Sequence, residues 1–262
     1  MLGRRADGYH EIDSVFAETD LADTIELTPA DAISLTIEGP EAAGVPADET
    51  NLAWRAAASL GVGAAIRIVK RIPPGGGLGG GSSDAAAVLK GLNELHALGR
   101  TRDQLHALAL GLGADVPFFL VGGIARCRGI GDRVEPVDSA RSRRYLLVLP
   151  KLHSSTPRVF AAYDAGLTKN PLTATVFLAN YLEPKLGVQA SYFNRLQGAA
   201  EEVEPRLRRI RELAEVQFGL RFTLTGSGSS YFAEVDEEFP RNSPPAWTVE
   251  NVAVRAIHIR AG

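Results

Sequence analysis

Short runs in the first seventy positions alternate apolar and polar residues. TIEL at 24–27, ISLTI at 33–37 and AIRIVKRI at 65–72 repeat with the period of two expected of strands with one buried face. In the last run Ile66, Ile68, Lys70 and Ile72 share a face, so Lys70 puts a charge on an otherwise apolar stripe. Residues 51–60 read as a helix between the second and third strands.

Beyond residue 80 the period lengthens. Ala85, Val88, Leu89, Leu92 and Leu95 recur at three- and four-residue steps, the stripe of a helix burying one side. Ser82, Ser83 and Asp84 suit its N-cap, and Pro73 and Pro74 end the strand before it. Thr101 and Gln104 form a capping-box pair for a second helix, with Leu105, Leu108 and Leu112 inward and Gly113 as its stop. GADVPFFLVGG then reads as loop and apolar strand. YLLVLP at 145–150 opens a second αβ unit, with a helix over 202–216, a strand RFTLT at 221–225, a polar loop over 236–246 and a closing strand VAVRAIHI. The domain boundary is expected near residue 140, giving domains 1–140 and 141–262.

The 262 residues suit one large or two modest domains. With 28 basic against 31 acidic side chains the net charge is −3, which leaves no cationic excess to hold a nucleic-acid backbone. A single cysteine, Cys127, excludes an internal disulfide framework and a multi-cysteine zinc site, and reads as a small buried residue. MLGRRADGYHEID lacks the apolar centre of a signal peptide, and no apolar run reaches a membrane span. A soluble cytoplasmic protein without nucleic-acid or membrane partners is expected.

Composition matters most where it is uneven: six glycines fall within Gly75–Gly81, in PPGGGLGGGSSD. Strand, glycine turn and helix start together form a phosphate-binding arrangement, because glycines let backbone N–H groups approach the oxygens and the helix end adds positive partial charge. A Walker loop is excluded, since no lysine follows Gly80 or Gly81. Gly75, Gly77 and Gly80 satisfy G-x-G-x-x-G, but Glu94, at the spacing of a ribose partner, falls in the same helix rather than after a second strand. A purely structural glycine turn is the other alternative. Asp115, two residues before Pro117, is expected in extended geometry, either capping a loop or accepting a proton from an alcohol that attacks a phosphoryl group. TGSGSS at 225–230 is a tight connection or a second phosphate contact. Tyr9 and His10 follow a tight turn at Asp7-Gly8, and Thr156 and Phe160 lie in SSTPRVF; singly, each is unremarkable.

Together RADGYH, NLAWRAA, KRIPPGGGLGGGSSDAA, LGADVPFF, STPRVF and TGSGSS, in this order over residues 4–232, resemble the GHMP kinase superfamily of galactokinase, homoserine kinase, mevalonate kinase and phosphomevalonate kinase. Within it the match is to members that use ATP to phosphorylate a small alcohol with a cytidine diphosphate head, in the non-mevalonate route to isoprenoid precursors. The resemblance implies an α+β fold with a ribosomal-protein-S5-domain-2-like N-terminal domain and a ferredoxin-like C-terminal domain. It also implies that Pro73, Pro74, Gly75, Gly76, Gly77, Leu78, Gly79, Gly80, Gly81, Ser82 and Ser83 wrap the ATP phosphates, with Asn51 and Lys70 near the adenine. Asp115 becomes the base on the substrate's 2-hydroxyl. Tyr9 and Phe160 become the aromatic faces for the cytosine, His10 the reader of its polar edge, and Thr156 a further substrate contact.

Mg2+ is expected with the ATP. The sequence does not identify its ligands, and Ser83 is the one candidate. The chain is expected to act as a monomer or homodimer. Relatives normally begin with a strand of the type A-K-x-N-L-x-L that carries an active-site lysine, where this chain has Met1-Leu2-Gly3. A reading frame that starts late is the expectation, and an inactive nucleotide-binding relative the alternative, ahead of an NAD(P)-binding reductase. Ala161 follows Phe160 where relatives can carry a lysine for the substrate diphosphate.

Overall fold

The computed structural model describes residues 3–138, 142–166, 192–240 and 246–261. The chain divides into two compact units, Met1–Pro74 with Gly79–Asp138, and Gly75–Leu78 with Ser139–Gly262. The expected boundary near residue 140 falls on residues 139–141, outside the described residues, as do 241–245 of the polar loop.

The first unit runs β1 (Gly3–Arg4), β2 (His10–Ala17), β3 (Thr24–Pro29), β4 (Ser34–Glu38), α1 (Leu52–Leu60), β5 (Ala64–Val69), α2 (Gly80–Leu95), α3 (Arg102–Leu112), α4 (Val116–Val121), β6 (Ile124–Gly129) and β7 (Arg133–Pro136). Two sheets form: an antiparallel one in the order β1-β2-β6-β7, and a mixed one in the order β3-β5-β4, in which β5 pairs antiparallel with β3 and parallel with β4. The alternation read in 65–72 holds, since Ala64, Ile66, Ile68, Lys70 and Ile72 are all buried. They meet Ala53, Ala56, Ala57 and Leu60 of α1 and Ala85, Ala86, Val88, Leu89 and Leu92 of α2 in one apolar core. Leu95 ends the expected stripe but is 41 % exposed, because the buried face of α2 closes one turn earlier.

Local signals explain most helix ends. The Thr101–Gln104 capping box forms as expected at the start of α3. At α2 the expected N-cap is corrected: the helix begins at Gly80 with Gly79 as its cap (φ 69°), without a side-chain cap bond. Ser82, Ser83 and Asp84 therefore lie inside the helix. The expected loop and strand after Asp115 is corrected as well. Asp115 is helical (φ −87°, ψ −15°), and Val116–Val121 forms α4 with a proline in its first two positions. A first-turn proline has no N–H to lose, so it starts a helix rather than forbidding one.

The second unit contains β8 (Arg143–Pro150), α5 (Thr156–Ala165), α6 (Gln197–Val203), α7 (Pro205–Phe218), β9 (Thr223–Leu224), β10 (Tyr231–Val235), β11 (Trp247–Val249) and β12 (Val252–Ala261). The strands make one antiparallel sheet in the order β11-β12-β8-β10-β9. Central β8 is buried from Tyr145 to Pro150, so its sequence reads as an apolar run rather than an alternation. The single helix expected over 202–216 is two helices. Glu204 leaves helical geometry (φ −137°, ψ 88°) ahead of Pro205, as a residue before proline is inclined to do, and its carboxylate accepts from the Arg206 N–H at 3.3 Å. Helices and sheets in both units give the α+β class. Among the described residues no helix is long and apolar enough to cross a membrane.

Candidate active site

The glycine run divides between the two units. Gly75–Leu78 belongs with the second unit, where the TGSGSS turn holds it by its carbonyl oxygens. The Gly76 carbonyl accepts from the Ser230 N–H at 3.1 Å, and the Gly77 carbonyl accepts from the Thr225 hydroxyl at 2.7 Å. In a trans peptide the N–H points opposite to the C=O. Fixing these two oxygens against the turn therefore points the N–H groups of Gly77 and Leu78 away from it. The turn itself is braced: Asn194 donates to the carbonyls of Leu224 (2.9 Å) and Gly226 (2.7 Å), and the Ser154 hydroxyl donates to that of Ser227 (2.7 Å). Gly77 has φ 72°, and a Cβ there would lie 2.4 Å from the Thr225 carbonyl oxygen, so only glycine fits.

In the first unit the run continues as the start of α2. With no capping side chain, the first-turn N–H groups keep no side-chain acceptor of their own, which is the condition for binding phosphate at a helix N-terminus. Leu52, next to Asn51, lies 3.7 Å from where a Cβ on Gly81 would stand. Asn51 caps α1, accepting from the Ala53 N–H at 2.9 Å and donating to the Pro46 carbonyl at 2.7 Å.

Lys70 is 3 % exposed, and two carboxylates answer its charge. Its ammonium donates to Asp23 and, at 2.7 Å, to Asp84 in α2. Burial pushes the Asp84 carboxyl up to about 6; the Lys70 charge opposes this and the Asp23 carboxylate adds to it. The misfit lysine of the strand pattern is thus the centre of a three-residue ion cluster that includes Asp84 of the loop's helix.

Asp115 stands just before α4. Phe118 anchors that helix, buried with Ala125 and Cys127 and edge-on to Phe16 at 5.3 Å. The adjacent Phe119 ring lies where a Cβ on Gly79 would come within 2.7 Å. One short helix therefore carries Asp115 and packs against the end of the glycine run. The Asp115 side chain makes no cap bond, which removes its loop-capping role. Protein crowding raises its carboxyl above the ordinary aspartate value, although the residue keeps solvent contact that limits the effect. Cys127 is fully buried as expected, and its thiol is pushed up to about 12 by burial and by the Asp115 charge.

Tyr9 follows the expected turn, in which the Gly8 N–H donates to the Arg5 carbonyl at 3.1 Å, and its side chain is 58 % exposed. His10 opens β2 opposite Arg4. In the second unit Thr156 starts α5 with its hydroxyl 2.7 Å from that of Ser227, and Phe160 is half-buried one turn further along. Glu94 lies within α2, leaving the G-x-G-x-x-G alternative without its ribose partner. Sequence reading missed Asp23, Asn194, Thr225 and Phe119 as supports. Only Asp23 had a signal, since a lysine on an apolar strand face requires a buried carboxylate.

Residues 51–123 match the GHMP kinases N terminal domain, and residues 181–242 match the GHMP kinases C terminal family. A 4-diphosphocytidyl-2-C-methyl-D-erythritol kinase of Nocardia farcinica is 42 % identical over 241 residues, covering 86 % of this chain and 76 % of the relative. One of Alcanivorax borkumensis is 37 % identical over 261 residues, covering 95 % and 84 %. A crystal structure of 4-(cytidine 5'-diphospho)-2C-methyl-D-erythritol kinase superposes with TM-score 0.75 at 34 % identity, covering 99 % of this chain and 93 % of that one. Homoserine kinase from Cytophaga hutchinsonii, at TM-score 0.59 and 19 % identity over 87 % and 86 % of the two chains, shares the fold.

Proposed function

Because the chain belongs to the GHMP kinases, in the group of 4-diphosphocytidyl-2-C-methyl-D-erythritol kinases, we propose that it transfers the γ-phosphoryl group of ATP to the 2-hydroxyl of 4-diphosphocytidyl-2-C-methyl-D-erythritol, a step in isoprenoid precursor synthesis. The observation that carries the reading is the uncapped start of α2 beside a helix presenting Asp115. Phosphoryl transfer asks mainly for positioning and charge stabilisation, with one group to take the alcohol proton.

Residues 75–82 offer backbone N–H groups to the phosphates, with Pro73 and Pro74 leading into them, and Asn51 and Lys70 belong to the adenine side. Asp115 accepts the 2-hydroxyl proton as that oxygen attacks phosphorus. Burial raises its carboxyl, which makes it a better proton acceptor than an ordinary aspartate. Tyr9 and Phe160 are the aromatic faces for cytosine. His10 is its polar reader, and Thr156 a further substrate contact. In domain terms, 1–140 is the ATP-binding GHMP kinase domain and 141–262 the C-terminal one. Mg2+ would accompany ATP and offset phosphate charge. The Ser83 hydroxyl donates to the Gly80 carbonyl at 2.8 Å, which leaves its oxygen lone pairs as hard donors of the kind that ion takes, and Ser83 is the residue that would hold it.

The test is a coupled ADP-release assay of this chain with ATP and three alcohols: the cytidine-headed substrate, homoserine and mevalonate. Turnover with the first alone supports the proposal. Preference for either of the others reassigns the substrate, and ATP binding without turnover on any would mark a non-catalytic relative.

A further inference from the structure

The buried carboxylate of Asp23 has more to hold than a lysine. One oxygen accepts from the backbone N–H groups of Arg71 (2.5 Å) and Ile72 (2.9 Å), the last residues before the Pro73–Ser83 loop, and the other accepts from Lys70. Lys70 in turn donates to Asp84, in the second turn of α2 just beyond that loop. Gly80, at the start of α2, packs directly over both groups: a Cβ there would lie 2.9 Å from the Ile72 side chain and 3.4 Å from the Lys70 nitrogen. The residues entering the loop and the helix leaving it are thus tied through one side chain that is 2 % exposed.

We propose that Asp23 is a positioning residue for the ATP phosphates, fixing both ends of the Pro73–Ser83 loop through the Arg71–Ile72 backbone and the Lys70–Asp84 pair. This rests on the reading of that loop as the ATP site. Asp23 touches no phosphate itself. It sets the direction in which the first-turn N–H groups of α2 point, because a small rotation at Ile72 or Gly80 moves every donor that follows. A buried ion cluster with no such role would also use two carboxylates for one lysine, but it would not require two backbone N–H bonds at the loop entrance. Without Asp23 the lysine keeps Asp84 as partner, so the unit is expected to fold.

The experiment measures ATP Kd by calorimetry on the full chain, which needs no turnover, together with KM for ATP and for the alcohol. Asp23→Ala is expected to weaken ATP at least tenfold while the KM of the alcohol stays within twofold. Asp23→Asn keeps an oxygen acceptor for the two N–H groups and is expected to recover part of that loss. Unchanged ATP Kd in Asp23→Ala, or equal rises in both KM values, overturns the proposal. Should Asp23→Ala fail to fold, Asp23→Leu, of similar size and without an acceptor, takes its place, and wild-type ATP affinity in it overturns the proposal equally. Absence of turnover by the unmodified chain would instead count against the kinase reading and leave the Kd comparison standing.

Discussion

The hydroxyl of Thr225 donates to the carbonyl oxygen of Gly77 at 2.7 Å, across 148 positions of sequence. That bond decides which way the Leu78 N–H faces, so its loss should be read in nucleotide affinity rather than in folding. Thr225→Val keeps the shape and removes the donor. A hydrogen bond of this kind contributes about 1 kcal/mol, and ATP Kd is expected to rise about fivefold or more with thermal stability little changed. Calorimetric titration with ATP checks it.

Gly79 couples the loop to the helix that carries Asp115. Alanine there would adopt φ 69° and press its Cβ to 2.7 Å from the Phe119 ring. Left-handed geometry costs a non-glycine residue about 1–2 kcal/mol before any clash. Gly79→Ala is expected to lower the melting temperature and also to cut kcat, because α4 must move. Gly79→Ala combined with Phe119→Leu should recover part of both, as scanning calorimetry and steady-state rates would show.

The Asp84 carboxyl, held at about 6 against an ordinary 3.8, gives stability a definite pH sign. The folded state holds the proton more tightly than the unfolded chain. The contribution of this group is therefore full below pH 3.8 and is lost as pH rises through about 6. Lys70 and Asp23 are the charges facing it. Between pH 4.5 and 7.5 the wild-type melting temperature is expected to fall relative to that of Asp84→Asn. A constant difference between the two across that range would contradict the assignment.

Tyr9 and Phe160 should affect the alcohol and not the nucleotide triphosphate. Stacking is worth roughly 1–3 kcal/mol per base, so Tyr9→Ala or Phe160→Ala is expected to raise the KM of the cytidine-headed alcohol about tenfold or more and leave KM for ATP unchanged. Initial-rate measurements with one substrate saturating separate the two.

Much of the fold was legible because it is local. The strand pattern at 65–72 exposed the buried face of β5, and Thr101 with Gln104 marked the start of α3. What escaped depends on the rest of the chain. The stretch after Asp115 looked extended because Pro117 was read as a breaker, whereas in the first turn of a helix it breaks nothing. Asp84 looked like a cap because its partners, Asp23 and Lys70, are 61 and 14 positions distant in sequence. The glycine run stood out in the sequence, but its orientation is set by Thr225 and Ser230, which no spacing rule connects to it.

The most direct test of the account is phosphorus NMR of this chain with ATP, Mg2+ and 4-diphosphocytidyl-2-C-methyl-D-erythritol, run beside Asp115→Asn. The account predicts a new phosphomonoester signal growing in step with ADP. It also predicts that Asp115→Asn forms it roughly 100-fold or more slowly, and that the wild-type kcat falls at acid pH with a midpoint above an ordinary aspartate's. Transfer by Asp115→Asn at close to the wild-type rate, or ADP formed without the phosphomonoester, would contradict it.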